Sequence, residues 1–566
     1  MLSNHTQAVF AFQNCMDPYL FWGMCLSLMF LGMVGLTPLH PHKDLTSHGM
    51  IMLVFRRIAL ASMAAEVTLF IGFAITLQGT LGEENLNKLL HIYAWRWLPM
   101  LPLFLIVGII CRLVYHRWAV PRISSLLRRM RITQTEDTVS DMKNEITKYR
   151  AIDYDPLKYM RPGEMFLGLD ISTKAPQYLD LATWDETHKI TVGTTRYGKG
   201  ITFQIWASQA IRRGKTLFHI DPKTDKYMPH VLKQEAEKHG KTFLSVDLMS
   251  RDAKGTYAPF VHGSPEDRRS RLYEVLSLRD SGTTADFYKT VARRYLVNIF
   301  HDADAQNQPT TIPWLLEQVE AMKEDDTGNR DEDTARRKSL ESVVSRLTEM
   351  AAYERISGKG GFSIAKTLLN PNGAVVYFRG HLEDQVILAA TRAFIIELRQ
   401  EIKRLHQDRK TEVEIQVDEL KFLLSKTILG SLATITGEGA TFCLAFQSFG
   451  DIENPEDETI NGRAALQAIK VNCQVKEFFG GSDSDTARWI AETTGDTSKR
   501  AVRMEQTEVN AMGGESWASK RTFGDVQEYV IPENVVKALT PKVAVLMRPN
   551  HLATVVTVAP VKVTLP

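Results

Sequence analysis

Residues Gly193-Thr-Thr-Arg-Tyr-Gly198-Lys199 place two glycines and a lysine at the spacing of a phosphate-binding loop. The chemistry open to those types is the cradling of a polyphosphate. Glycines let consecutive backbone N–H groups turn inward, a following helix offers the positive end of its dipole, and the lysine reaches the β- and γ-phosphates. His188 to Val192 reads as a strand and the residues from Lys199 as a helix, so the candidate nucleotide contacts are Gly193, Thr194, Thr195, Arg196, Tyr197, Gly198, Lys199, Gly200 and Ile201. Gly200 stands where the motif has the Ser or Thr whose hydroxyl ligands Mg²⁺. Thr202 lies about 200° further round the helix and is a poor substitute. Because Gly-x4-Gly-Lys arises by chance in roughly one protein in several of this length, its context decides the reading.

That context begins at Asp418 and Glu419, which end an alternating run of Val413, Ile415 and Val417. In phosphoryl transfer an aspartate at such a strand end holds Mg²⁺ and a glutamate polarises the attacking water; an isolated acidic pair would be ordinary surface. Thr441 to Phe446 is a further apolar strand, and Gln447 after it offers an amide that can sense the γ-phosphate or orient the water. ATP and Mg²⁺ are the ligands these residues imply, with Asp418 on the metal and Glu419 and Gln447 as catalytic candidates.

Positioning such groups requires strand ends side by side. Short β-rich runs at 188–193, 216–221, 243–247, 374–379, 413–418, 441–446, 475–479 and 543–548 alternate with helical patterns, which predicts a largely parallel sheet with helices on both faces and ligands at the carboxyl edge. Between 264 and 369 the strands vanish. Phe287, Val291, Leu296 and Phe300 recur at helical spacing there, predicting an all-α insert, with the acidic run Glu324 to Asp333 as a solvated loop inside it.

Ahead of this body lie three apolar runs, at 19–36, 58–77 and 98–114, each close to the ~20 residues of a spanning helix. Basic residues flank the first loop (Lys43, Arg56, Arg57) and follow the third run (Arg112 to Arg131), whereas the second loop is acidic at Glu83 and Glu84. The positive-inside rule then predicts an N-terminus outside and a cytoplasmic body. Glu66, inside the second run, is either an intramembrane functional site or a polar group facing the interior of a helix bundle. The basic stretch Arg122 to Arg131 suits lipid headgroups, and 132–160 reads as a linker. Across the 566 residues, 44% hydrophobic and 24% charged, the net charge of only +2 excludes a globally basic nucleic-acid binder. Five scattered cysteines without a C-x-x-C pair argue against a disulfide or zinc scaffold.

In order and spacing the chain resembles the type IV coupling proteins, membrane-anchored hexameric ATPases of conjugation related to the FtsK and HerA motors. The likeness runs from about Pro162 to the C-terminus. It is carried by Trp184-Asp-Glu-Thr-His188 before the loop, Ile220-Asp-Pro-Lys223, Val417-Asp-Glu-Leu420, Phe446-Gln-Ser448, and Asn472 followed by Asp485-Thr-Ala487 and Gly495. The resemblance implies a RecA-like P-loop nucleotide-binding domain (162–263 and 370–566) with an inserted all-α domain (264–369), preceded by a transmembrane region (1–120) and a basic linker (121–161). It further implies a multi-pass protein of the bacterial inner membrane and a homo-hexamer. The hexamer would use ATP to move single-stranded DNA, delivered by a relaxase complex, towards type IV secretion channel proteins.

Two departures qualify this. Gly200 lacks the metal-binding hydroxyl, and Thr436-Gly437-Glu438 stands where the family commonly has an arginine; Arg293, Arg294 and Arg379 are the nearest substitutes in type. The alternative function they suggest is a recruitment platform that binds nucleotide, docks relaxase or effector proteins, and hydrolyses ATP slowly or not at all.

Overall fold

The structure, a computed structural model, describes residues 19–35, 47–119, 149–249, 257–280, 282–326, 328–457, 459–509 and 515–564, with Arg122 and a few isolated positions before residue 19. The expected basic stretch beyond Arg122 and most of the linker lie outside the described residues. The chain divides into two units: 1–141 with 498–527, and 142–497 with 528–566.

In the first unit four helices follow one another: α1 (Phe21–Val34), α2 (Ser47–Leu81), α3 (Glu83–Trp97) and α4 (Met100–Val114). Two helical stretches, Leu53–Gly79 and Glu83–Ala119, are long and apolar enough to cross a membrane, and α1 is apolar but only 14 residues long. The expected spans at 58–77 and 98–114 thus fall on long helices. The one expected at 19–36 falls on a helix of about 21 Å, shorter than a hydrocarbon core. α1 and α4 meet backbone to backbone: a Cβ on Gly32 would stand 2.6 Å from the Leu105 carbonyl oxygen, and one on Gly108 2.2 Å from that of Met29. Only glycine permits that approach. Glu66 takes hydrogen bonds from Ser27 (3.1 Å) and Ser62 (3.0 Å), the placement expected of a polar group facing the bundle interior.

The second unit is built on an eleven-stranded sheet in the order β2-β1-β13-β12-β9-β3-β8-β7-β4-β6-β5. The strands are β1 (Glu164–Asp170), β2 (Pro176–Asp180), β3 (His188–Val192), β4 (Thr216–Asp221), β5 (Thr242–Asp247), β6 (Ala374–Arg379), β7 (Val413–Val417), β8 (Ala440–Phe446), β9 (Cys473–Phe479), β12 (Val543–Met547) and β13 (Thr554–Thr557). From β9 to β5 every pairing is parallel, as expected, while β12, β13, β1 and β2 extend the sheet antiparallel. The strand expected at 543–548 is therefore antiparallel to its neighbour, and β13 pairs within the chain between β12 and β1. β10 (Asp496–Val509) and β11 (Glu515–Tyr529) form a separate two-stranded ribbon.

Because side chains alternate along a strand, the parallel strands feed two cores. Ile190, Val192, Phe218, Ile220, Val376, Phe378, Leu444 and Phe446 enter one; Leu217, Val375, Cys443, Ala445, Val475 and Phe479 enter the other. The second core is roofed by α5 (Lys199–Arg212) and α6 (Met228–Lys238) through Phe203, Trp206, Ile211, Val231 and Leu232. On the first face lies α7 (Gln385–Arg404), capped by the Asp384 carboxylate on the N–H groups of Val386 and Ile387. The described residues between β5 and β6 carry helices and no strand, from Pro265–Val275 to Ile364–Leu368. Leu272, Leu296, Leu315 and Leu340 from these helices share the buried cluster of Phe378 and Phe394, so they pack as a continuation of the sheet's own core. In the acidic run Asn329 caps the helix Arg330–Ala351, and Asp333 pairs with Arg336 at 2.8 Å.

Candidate nucleotide site

The loop between β3 and α5 lies at the carboxyl edge of the parallel strands, where β3 sits between β9 and β8. Its shape is enforced from one side by Phe479 at the end of β9. A Cβ on Gly193 would come within 2.6 Å of the Phe479 Cβ, and one on Gly198, whose φ is 139°, within 2.5 Å of its ring. Both glycines are thus required by close approach. Gly198→Ala is expected to lower the melting temperature and weaken nucleotide binding together, at a cost of about 1–3 kcal/mol for the overpacked, strained position; a thermal melt and a nucleotide titration on the same sample check it.

The other loop residues divide by task. Thr194 turns its hydroxyl inward, buried and without a hydrogen-bond partner, beside Gly481. Thr195 and Arg196 are exposed, and Arg196 adopts φ 70°, a left-handed conformation that glycine would take more easily. Tyr197 accepts a hydrogen bond on its carbonyl from the Lys542 N–H at 2.7 Å, and Ile201 packs on the second core. Lys199 is 7% exposed and donates to the Gly193 carbonyl at 2.6 Å, folded back across the mouth of its own loop. Burial lowers its pKa, opposed by Glu419 and Asp418. Gly200 is the second residue of α5, with room for a side chain; its nearest neighbour would be Asp225 Oδ2, 3.5 Å from an added Cβ. Thr202 donates its hydroxyl to buried Glu477 at 2.5 Å and points into the protein, as its helical position predicts.

Next in the sheet beyond β8, β7 delivers the carboxylates. Asp418 accepts the Glu419 N–H at 2.9 Å, and burial, reinforced by Glu419 and then Asp221, pushes its pKa up to about 7. Glu419 is 4% exposed and left-handed at φ 49°, a strained turn that aims its carboxylate along the strand ends. Gln447, from the end of β8, donates to Glu419 Oε2 at 3.2 Å. The residues singled out on β7 and β8 therefore meet, and the loop on β3 adjoins them.

Two further residues at this edge, Asp221 and Lys223, are not marked by residue type and spacing alone. Asp221 closes β4 by accepting the N–H groups of Lys223, Thr224 and Asp225, a tight turn that sends Lys223 back over the site. Lys223 Nζ lies 3.1 Å from Glu419 Oε1 and 3.5 Å from Thr195 Oγ1, joining the loop to the catalytic candidate. The sequence signal was present in Asp221-Pro222-Lys223, but only as a stretch of resemblance. The arginines considered as substitutes have partners within the chain: Arg293 with Asp280 (2.6 Å), Arg294 with Glu332 (3.7 Å), and Arg379 with Asp247 (3.0 Å). Glu438 forms a two-pronged pair with Arg399, at 2.6 and 3.1 Å.

Among the described residues no group of three His, Cys, Asp or Glu side chains forms a metal site by itself. Asp418 with phosphate oxygens and water is the donor set magnesium takes in nucleotide enzymes. The glycine cradle, the buried unpartnered Thr194 hydroxyl and the nearby lysines fit a polyphosphate.

Fold and site together define an α/β protein with a glycine-rich loop and a lysine at the carboxyl edge of its parallel strands. Within it, residues 412–540 match the family described as the TraM recognition site of TraD and TraG. Among solved structures, the bacterial conjugative coupling protein TrwBdeltaN70 in its unbound monoclinic form is 16% identical, with a TM-score of 0.53 over 73% of this chain and 93% of that one. Plasmid coupling protein TrwB with a non-hydrolysable ATP analogue (16% identical, TM-score 0.50, 67% and 87% covered) and with ADP and Mg²⁺ (15%, 0.50, 72% and 91%) have similar folds. A sequence comparison with curated proteins gives no match. The family match and the shared fold support the resemblance to type IV coupling proteins.

Proposed function

We propose that this chain is a coupling ATPase of a conjugative type IV secretion system, linking a relaxase–DNA complex to the channel and driving single-stranded DNA with ATP. The carrying observation is the convergence of Lys199, Lys223, Asp418, Glu419 and Gln447 at one sheet edge, within a fold shared with conjugative coupling proteins. Backbone N–H groups of 193–199 hold the phosphates, and Lys199 exchanges the Gly193 carbonyl for a phosphate oxygen. Asp418 would help hold Mg²⁺, which when bound would supply charge neutralisation at the transferred phosphoryl group. Glu419 takes the proton of the attacking water while Gln447 fixes the water's orientation.

Residues 412–540 serve as the docking segment for a relaxosome protein, in keeping with the description of the matched family. Helices 265–368 act as the all-α domain, and six copies form the motor. The apolar N-terminal helices anchor it in the bacterial inner membrane with the body cytoplasmic. Exposed Ile58, Leu69, Ile71 and Ile75 on α2, with Leu103, Ile106, Ile110 and Leu113 on α4, are the surface that lipid would cover. Three crossings with the N-terminus periplasmic satisfy the positive-inside rule, and reporter fusions before α1 test that topology.

A second reading, a docking platform with little hydrolysis, is favoured by Gly200 and by the left-handed Arg196. The experiment that separates the two is ATP turnover by the detergent-solubilised full chain, with and without single-stranded DNA. A motor shows DNA-stimulated turnover that disappears in Lys199→Ala; turnover untouched by that substitution overturns the site. Nucleotide binding without turnover selects the platform.

A further inference from the structure

The contact at Gly200 carries more than a missing hydroxyl. Asp225 Oδ2 is the neighbour a Cβ at position 200 would meet, at 3.5 Å, so a carboxylate oxygen stands beside the place from which a Ser or Thr hydroxyl would project. The side chain is held there. Its other oxygen, Oδ1, accepts the N–H groups of Tyr227 (2.6 Å) and Met228 (2.7 Å) at the start of α6. Its own N–H is tied to Asp221 Oδ2 at 2.6 Å, on the buried residue that closes β4. The turn that brings Lys223 to Glu419 therefore also fixes Asp225 against the first turn of the loop helix.

We propose that Asp225 takes the place of the absent hydroxyl as an oxygen donor to the divalent cation accompanying the nucleotide. The inference rests on the nucleotide-binding reading above. A carboxylate differs from a hydroxyl in one measurable way: it repels the phosphates unless a cation lies between them. Magnesium thus strengthens nucleotide binding through Asp225, and the same residue opposes metal-free nucleotide.

The test is the affinity of the full-length solubilised protein for a fluorescent ATP analogue, measured in Mg²⁺ and in EDTA. Asp225→Asn keeps an oxygen for the Tyr227 and Met228 N–H groups and removes the charge. The native protein is expected to bind about tenfold or more tighter with Mg²⁺. In Asp225→Asn the gain shrinks to about twofold, metal-free binding being unchanged or tighter. Gly200→Ser combined with Asp225→Asn restores the gain, since the serine hydroxyl returns to its usual role. An undiminished magnesium gain in Asp225→Asn overturns the assignment, as does an equal loss with and without metal, which would mark a purely structural turn. Failure of the native protein to bind the analogue at all overturns the nucleotide site itself, a different and recognisable result.

Discussion

Glu419→Gln is expected to suppress ATP turnover by about 10²–10⁴-fold, the usual range for a lost general base, while nucleotide affinity stays within a few-fold of native. The separation of effects follows from the geometry. Glu419 lies at the end of β7, bonded to Lys223 at 3.1 Å and to Gln447 at 3.2 Å, whereas the cradle is built from the β3 loop and its lysine. Glutamine keeps the shape and one oxygen for Lys223, and its new N–H₂ is satisfied once the Gln447 amide turns to present its oxygen, but it cannot take a proton from water. The left-handed backbone at φ 49° is retained because neighbouring residues impose it, so the variant is expected to melt close to the native temperature. A steady-state turnover assay beside an equilibrium binding titration measures both. If turnover survives the substitution, Glu419 is a partner of Lys223 and nothing more, and the proton must go elsewhere. If binding is lost as well, the carboxylate is holding Lys223 and the loop in place, which assigns it a positioning role.

Much of this arrangement is legible in the residue order. The seven parallel strands fall on the β-rich runs of the sequence, because their short Val-, Ile- and Phe-rich segments stand out between helical patterns. Their carboxyl ends bring Lys199, Asp418, Glu419 and Gln447 together, and motif types already pointed to them. The antiparallel edge is less legible. β1 carries a register shift between Phe166 and Gly168 that breaks its alternation, and β2 is short and half-exposed. The long strands β10 and β11 cover a polar, charge-mixed stretch with no strong period of its own.

At the site, Lys223 and Asp225 escape a linear reading because their importance depends on one turn. Asp221 captures three successive N–H groups, and that closure alone decides which side chains face the loop. Glu438 illustrates the reverse case. The sequence marks it as an arginine lost, and the fold shows a residue with a partner of its own in Arg399.

Glu477→Gln is expected to flatten the pH dependence of stability, with the largest gain over the native protein near pH 8. Glu477 sits on β9 at 0% exposure, directly below the loop helix; Oε2 accepts the Thr202 hydroxyl at 2.5 Å and Oε1 has no partner. Burial pushes its pKa up to about 8, with the Thr202 hydrogen bond pulling the other way. In the unfolded chain the same group titrates near its ordinary value of about 4.3. Between those two values the folded protein holds a proton that the unfolded chain has released. The stabilisation is therefore complete below the unfolded value and is lost as pH rises towards 8, at up to about 1.4 kcal/mol per pH unit. Glutamine has no such slope. Its carbonyl can still accept from Thr202, and its amide leaves one buried donor unpaired, at a cost of about 1–3 kcal/mol that does not vary with pH. The two melting curves should consequently lie close together, or with the native protein ahead, at pH 5, and the variant should gain steadily up to pH 8. Parallel shifts across that range would mean that Glu477 is not the proton holder beneath the nucleotide loop. Thr202→Val then separates the hydrogen bond from the burial. Removing the hydroxyl takes away the one pull that favours the carboxylate, so the native slope should extend to higher pH and should not disappear.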